Sequence, residues 1–203
     1  MSQINNLPIF TAVGLSVENP DQTALIFVNE DGSDETISYA DIYENTNRMS
    51  HALLKAGIRK GGTFSLLMKN HPEFVYAMFA ALSIGAIAVP VDPRSKGRKL
   101  SFQINNTRSK GILVADQFLG NLDEVADDIA ETPVVGVLYK PHHQIDINND
   151  YPVLNELMES MDTQIPDQAI AFDPGVPAQI IHTSGTTGDP KGVMLKADRF
   201  MIY

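Results

Sequence analysis

Short apolar runs alternate with longer amphipathic stretches along most of this chain. The apolar runs have the length and β-branched character of strands, and the amphipathic stretches carry apolar residues at helical spacing. Predicted strands cover residues 23–29, 36–39, 64–68, 87–91, 112–115, 134–138 and 178–181. Predicted helices cover residues 40–56, 70–84, 99–107, 119–129 and 152–161.

The order of these elements predicts an α/β fold. After an N-terminal hairpin, strands and helices take turns, which requires crossover connections between parallel strands. The strand runs are almost continuously apolar, as expected when helices cover both faces of a sheet. We therefore predict a layered, largely parallel sheet flanked by helices.

Residues 74–91 form the most apolar segment, with no charged residue over nearly the length of a membrane span. Gly85 divides this segment and Pro90 stands near its end. A helix followed directly by a buried strand accounts for this division better than a transmembrane helix. We predict no membrane span.

Composition narrows the function classes. The 203 residues are 43% hydrophobic and 20% charged, as in an ordinary globular protein. A net charge of −10 argues against a nucleic-acid surface. The absence of cysteine excludes disulfides and thiolate metal sites. His142 and His143 lie in a polar stretch that we interpret as a solvated loop. The N-terminus, MSQINNLPIF, lacks the features of a signal peptide, and we expect a cytoplasmic protein.

One stretch carries candidate chemistry: HTSGTTGDPKGV, which follows the apolar run at 178–181. Its glycines leave backbone N–H groups open to an anion, and its hydroxyls and lysine add donors and a positive charge. These properties suit the β- and γ-phosphates of a nucleotide. The candidate residues are Thr183, Ser184, Gly185, Thr186, Thr187, Gly188 and Lys191.

Two other interpretations of this stretch exist. A Walker A loop would place Gly-Lys-Ser/Thr after four variable residues, whereas here Gly185 and Gly188 are three apart and Gly192 follows the lysine. A P-loop NTPase is therefore disfavoured. A plain Gly/Thr-rich turn with a surface lysine is the simplest alternative, although strand context, spacing and composition all favour phosphate binding.

TSGTTGDPKGV resembles the phosphate-binding motif of the adenylate-forming enzymes: acyl-CoA synthetases, firefly-luciferase-like proteins and peptide-synthetase adenylation domains. Two further stretches, ISYADIYENTNRMSHALLKAGIRKGG and NHPEFVYAMFAALSIGAIAVPVDP, are similar to the first helical units of acyl-CoA synthetases. The resemblance covers the whole length. It implies that residues 1–203 are an incomplete, N-terminal part of the AMP-binding (adenylation) domain, with the rest of that large domain and a C-terminal domain outside them.

The resemblance also implies an activity. A carboxylate attacks the α-phosphate of ATP to give an acyl-adenylate, and coenzyme A then takes the acyl group, as in fatty acid metabolism. Residues 183–188 would contact the ATP phosphates, and Lys191 would act catalytically by stabilising the leaving pyrophosphate. The expected cofactors are ATP, Mg²⁺ and coenzyme A, with a small carboxylic acid as substrate. No magnesium ligand can be assigned, and Asp189, at a variable position, receives no role.

Two departures from the family pattern leave alternatives open. Lys196-Ala197 stands where many members have Ser/Thr-His. The segments for adenine, ribose, magnesium and the acyl group are expected beyond Tyr203, so we expect negligible ligase activity from this chain alone. The alternatives are an adenylation domain that loads a carrier protein, and a non-catalytic short form that binds nucleotide or a partner.

Overall fold

A computed structural model describes residues 19–29, 31–129, 131–139, 151–171, 173–183 and 189–200 of the chain. The strands are β1 Thr23–Val28, β2 Asp34–Ser38, β3 Thr63–Leu67, β4 Ile87–Pro90, β5 Ile112–Ala115, β6 Val134–Leu138, β7 Pro177–Thr183 and β8 Lys191–Lys196. The α-helices are α1 Tyr39–Lys55, α2 Pro72–Ile84, α3 Gly97–Asn106, α4 Leu119–Asp123 and α5 Leu154–Glu159. Short 3₁₀ segments span Asp116–Phe118, Ala126–Ile129 and Ala197–Phe200.

The strands β1 and β2 form a separate antiparallel hairpin that leads into α1. The last residue of β2, Ser38, caps the helix: its hydroxyl accepts a hydrogen bond from the Asp41 backbone N–H at 3.1 Å. The Asp41 carboxylate accepts one in return from the Ser38 backbone N–H at 2.9 Å. This reciprocal cap satisfies donors that a helix start leaves unpaired, and it fixes where α1 begins.

The other six strands form one sheet in the order β6-β5-β3-β4-β7-β8. The pairs β5–β6, β3–β5, β3–β4 and β4–β7 are parallel, and β7–β8 is antiparallel. The prediction of a largely parallel, helix-flanked sheet is confirmed. Parallel pairing places the carboxyl ends of β3 to β7 at a single edge, which is the edge where α/β sheets bind ligands.

Helices cover the centre of the sheet from both sides. Alternate strand residues divide between two apolar clusters, as the two-residue side-chain period requires. In β5, Leu113 packs in the cluster that contains Met49 and Leu53 of α1. The adjacent Val114 packs in the cluster that contains Leu100 and Ile104 of α3. The central strands are therefore buried on both faces, which explains their continuous apolar sequence.

The apolar segment at 74–91 is divided as predicted. The helix α2 ends at Ile84, Gly85 follows in a left-handed conformation with φ of 68°, and β4 begins two residues later. In the described part of the chain, no helix combines the length and the apolar character needed to span a bilayer.

The predicted helix over residues 119–129 is wrong in its extent. The structure has a short α-helix at Leu119–Asp123 and a separate 3₁₀ segment at Ala126–Ile129. Leu119 and Leu122 are buried on the short α-helix, and Val125 is buried in the turn between the two segments. At this turn the backbone tightens, since the Val125 N–H bonds to the carbonyl of Leu122, three residues back, at 3.0 Å.

The strand before the phosphate motif is less buried than predicted. Ala178 is buried, but Ile181 is 39% exposed because β7 lies near the margin of the sheet. The outermost strand, β8, was not predicted, although Val193, Met194 and Leu195 form a short apolar run. The predicted polar loop that contains His142 and His143 lies outside the described residues.

The left-handed glycine Gly85 gives a test of the helix–strand junction. A Cβ at this position would lie 2.6 Å from Cδ1 of Ile170, whereas a Cβ at Gly57, also left-handed with φ of 84°, would meet nothing within 4 Å. We expect Gly57→Ala to cost about 1 kcal/mol of stability from conformation alone. Gly85→Ala should cost about 1 kcal/mol more, because the side chain of Ile170 must move.

Urea unfolding of the two variants measures this difference as a shift in midpoint. Equal midpoints would show that the contact between Gly85 and Ile170 does not constrain the junction.

Candidate functional site

The predicted phosphate loop connects two adjacent antiparallel strands. The last residue of β7, Thr183, lies opposite the first residue of β8, Lys191. The Thr183 hydroxyl lies 3.4 Å from the carbonyl oxygen of Lys191 and donates a weak hydrogen bond to it. Thr183 and Lys191 therefore form the base of a hairpin at the carboxyl edge of the parallel strands.

Two of the seven predicted phosphate-site residues, Thr183 and Lys191, are brought together at the base of this loop. Directly opposite residues of an antiparallel pair project their side chains from the same face. The threonine hydroxyl and the lysine ammonium thus share one face of the hairpin. The other five residues lie outside the described part of the chain: Ser184, Gly185, Thr186, Thr187 and Gly188. Their roles stay predictions.

Lys191 is exposed, and within the described ranges its ammonium forms no ion pair. An exposed ammonium at the mouth of a loop presents three donors and a full positive charge to an incoming anion. The position is therefore chemically suited to the phosphate role that the motif predicts.

On the opposite face of the hairpin, Ile180 packs closely against the backbone of Gly192. A Cβ at Gly192 would lie 3.0 Å from Cγ2 of Ile180 and 3.9 Å from both Nδ2 of Asn106 and Nε2 of His182. Glycine inside a strand typically marks such a close approach. The last glycine of the motif thus has a packing role that the sequence did not indicate, since β8 itself was not predicted.

His182 lies on this packed face, directly before the loop. Both of its ring nitrogens are buried, and neither has a hydrogen-bond partner among the described residues. Burial lowers the pKa of the His182 imidazole below its usual value. The ring is therefore predominantly neutral near pH 7.

The loop also touches α3 through an ion pair that the sequence did not indicate. Nη2 of Arg98 lies 3.2 and 3.3 Å from the two carboxylate oxygens of Asp189. The contact follows from topology, because β4 and β7 are parallel neighbours and the residues after each of them meet at the same edge.

Across the described residues, no three His, Asp or Glu side chains gather in a way that could hold a metal ion. No magnesium site is therefore assigned.

Comparison with known proteins identifies the family of this chain. Residues 16–203 match the AMP-binding enzyme family, and the chain belongs to that family. A crotonobetaine/carnitine–CoA ligase from Salmonella enteritidis is 31% identical over 180 residues, which cover 86% of this chain and 33% of the relative. The chain therefore spans about a third of the length of this curated relative.

Solved structures share the fold. A fatty acyl CoA synthetase from Mycobacterium tuberculosis superposes with a TM-score of 0.75 at 24% identity, covering 96% of this chain and 35% of that one. The anthranilate CoA ligase AuaEII, crystallised with anthranoyl-AMP, superposes with a TM-score of 0.74 at 19% identity, covering 91% of this chain and 34% of that one. The architecture is that of the N-terminal part of acyl-CoA synthetases.

His182 gives a pH-dependence test. Because its folded pKa is lowered, the unfolded chain binds the proton more readily, and protonation below about pH 6.5 favours unfolding. At higher pH both states are neutral and this contribution vanishes. We expect His182→Gln to make the loss of stability between about pH 7 and pH 5 shallower. Urea titrations at each pH measure this slope.

The matched control is His51→Gln, which removes an imidazole from α1, where Nε2 lies 3.0 Å from the carbonyl oxygen of Gln164. An unchanged slope in His182→Gln would contradict the interpretation of His182 as a buried neutral ring.

Proposed function

We propose that the polypeptide containing these residues is a carboxylate–CoA ligase. It forms an acyl-adenylate from ATP and a carboxylic acid, and then transfers the acyl group to the thiol of coenzyme A. The observation that carries the proposal is the hairpin that joins Thr183 and Lys191 beneath the TSGTTGDPKG loop, in a chain of the AMP-binding family.

The loop's task follows from where charge develops. In the first step the bond between the α-phosphate and the pyrophosphate group breaks, and negative charge accumulates on the departing pyrophosphate. Fixed donors and a cation at those oxygens lower the barrier. The Lys191 ammonium supplies the cation, while the hydroxyl of Thr183 and the donors of residues 184–188 hold the β- and γ-phosphates.

The position of the loop supports this assignment. Ligands of α/β sheets bind outside the carboxyl ends of the parallel strands, and β7 delivers the loop to that edge. On the α3 side of the hairpin, the close approach of Ile180 leaves little room for a side chain at Gly192. The opposite face, with Thr183 and Lys191, is left for the nucleotide.

We further propose that residues 1–203 are the N-terminal part of the adenylation domain. Their coverage of about a third of the Salmonella relative supports this. Groups that bind adenine, ribose, Mg²⁺ and the acyl chain belong, in this proposal, to later parts of the polypeptide.

The class of carboxylic acid that the enzyme activates can be identified by experiment. The named neighbours act on or bind chemically different acids, a trimethylammonium acid in one and an aromatic amino acid in another. A panel of aliphatic, aromatic and zwitterionic acids, each tested for exchange of labelled pyrophosphate into ATP, identifies the class. Product analysis with coenzyme A and with a holo-carrier protein then identifies the acceptor.

Lys191→Ala tests the proposed role of the lysine. We expect kcat for pyrophosphate exchange in the complete polypeptide to fall by about 10²-fold or more, because a charge that stabilises the leaving group is lost. The matched control is Lys196→Ala, which removes an exposed lysine at the other end of β8. Equal kinetics in the two variants would remove Lys191 from the catalytic step.

The extent of the domain can be tested separately. We expect the 203-residue chain to show no pyrophosphate exchange with any acid that the complete polypeptide activates, because it lacks the remaining substrate groups. Intact-protein mass spectrometry of the endogenous product shows which form the cell contains. Exchange by the short chain would contradict the proposed division.

A further inference from the structure

The ion pair between Arg98 and Asp189 joins the predicted phosphate loop to α3. Asp189 is two residues before Lys191, so their Cα atoms are at most about 7 Å apart. Its carboxylate accepts hydrogen bonds at 3.2 and 3.3 Å from a single guanidinium nitrogen of Arg98. The Arg98 side chain is largely exposed, and that of Asp189 is about half exposed.

An acidic residue at this position opposes the proposed chemistry. A carboxylate close to the β- and γ-phosphates repels them, and it weakens the positive field of the neighbouring Lys191. In the described structure the negative charge of Asp189 is matched by Arg98, so the pair as a whole is neutral. The loop can therefore contain an aspartate without presenting a net negative charge to the nucleotide.

The start of α3 is unusual in a way that agrees with this interpretation. Lys96, Arg98 and Lys99 are all basic, although the positive end of a helix dipole favours acidic residues. The first turn of α3 has no acidic residue and no side-chain cap. Asp189 brings a carboxylate to this helix end from a distant part of the sequence. Residues that break a local preference typically serve a function elsewhere.

We propose that Arg98 is a positioning residue for ATP that acts through Asp189, by neutralising the loop's own carboxylate. This inference rests on the proposed ligase function. Charge compensation by Arg98 differs in one respect from a mechanical tether, in which the ion pair would only hold Asp189 in place. A tether is lost equally when either partner is removed, whereas charge compensation predicts opposite effects of the two single substitutions.

The test uses the complete polypeptide and three variants: Arg98→Gln, Asp189→Asn and the double variant. We expect Arg98→Gln to raise the KM for ATP about threefold, in the range of an exposed charge pair, with kcat changed less. Asp189→Asn should leave the KM for ATP equal or lower, because it removes the repulsive charge. The double variant should return the KM close to the wild-type value. Equilibrium binding of ATP should follow the same order.

The dependence of the KM for ATP on salt concentration gives a second measurement, which a purely structural role of Arg98 would not affect. Raising the ionic strength from about 0.1 M to about 1 M shortens the Debye length from about 10 Å to about 3 Å. The ratio of KM values between Arg98→Gln and the wild type should shrink towards one over this range.

Arg94→Gln is the matched control. Arg94 lies between β4 and α3, is exposed, and pairs with Asp92 at 3.0 Å instead of with the loop. Its removal changes the net charge by the same amount as Arg98→Gln and should leave the KM for ATP within error of the wild-type value.

The outcomes separate the two proposals. A wild-type polypeptide that neither binds ATP nor exchanges pyrophosphate would overturn the ligase function, and the role of Arg98 with it. Normal wild-type activity with equal losses in both single variants, or with no loss in Arg98→Gln beyond that of Arg94→Gln, would overturn charge compensation alone.

Discussion

The parallel pairing of β4 with β7, in which Ala88 lies opposite Gln179, is the contact on which the candidate site depends. It joins two parts of the chain that are distant in sequence and aligns their carboxyl ends. As a result, the turn that leads into α3 and the loop after β7 emerge side by side. The ion pair of Arg98 with Asp189 and the packing of Asn106 near Gly192 both follow from this alignment.

The sequence was sufficient to predict the structural features that depend on local spacing. The amphipathic face of α1, the glycine after α2 and the apolar central strands are all encoded within a few residues of one another, and each was predicted. The phosphate role of the loop was also predicted from local spacing, that of hydroxyls, glycines and a lysine at short range, and it stays a prediction. The structure places Thr183 and Lys191 opposite each other and leaves the remaining loop residues as predictions.

Features that depend on distant partners were missed. Arg98 and Asp189 are 91 residues apart, so no local pattern relates them. The helix predicted across residues 119–129 is interrupted after Asp123, where the Val125 N–H bonds to the carbonyl three residues back. A search for helical spacing does not separate such a tighter turn from an α-helix. The strand β8 was not predicted because its apolar run is only three residues long, Val193 to Leu195, and the phosphate motif overlaps its start.

The strand β8 lies at the margin of the described sheet, and this position affects how firmly Lys191 is held. Within the described part of the chain, β8 is hydrogen-bonded to one strand only, β7, and Met194 on it is 64% exposed. A strand with one neighbour separates from its sheet at a lower free-energy cost than an interior strand does. Lys191 is the first residue of β8, so any local opening of that strand displaces the ammonium from the loop base. In the proposed function, the hold on the Lys191 ammonium therefore depends on how firmly β8 stays paired with β7.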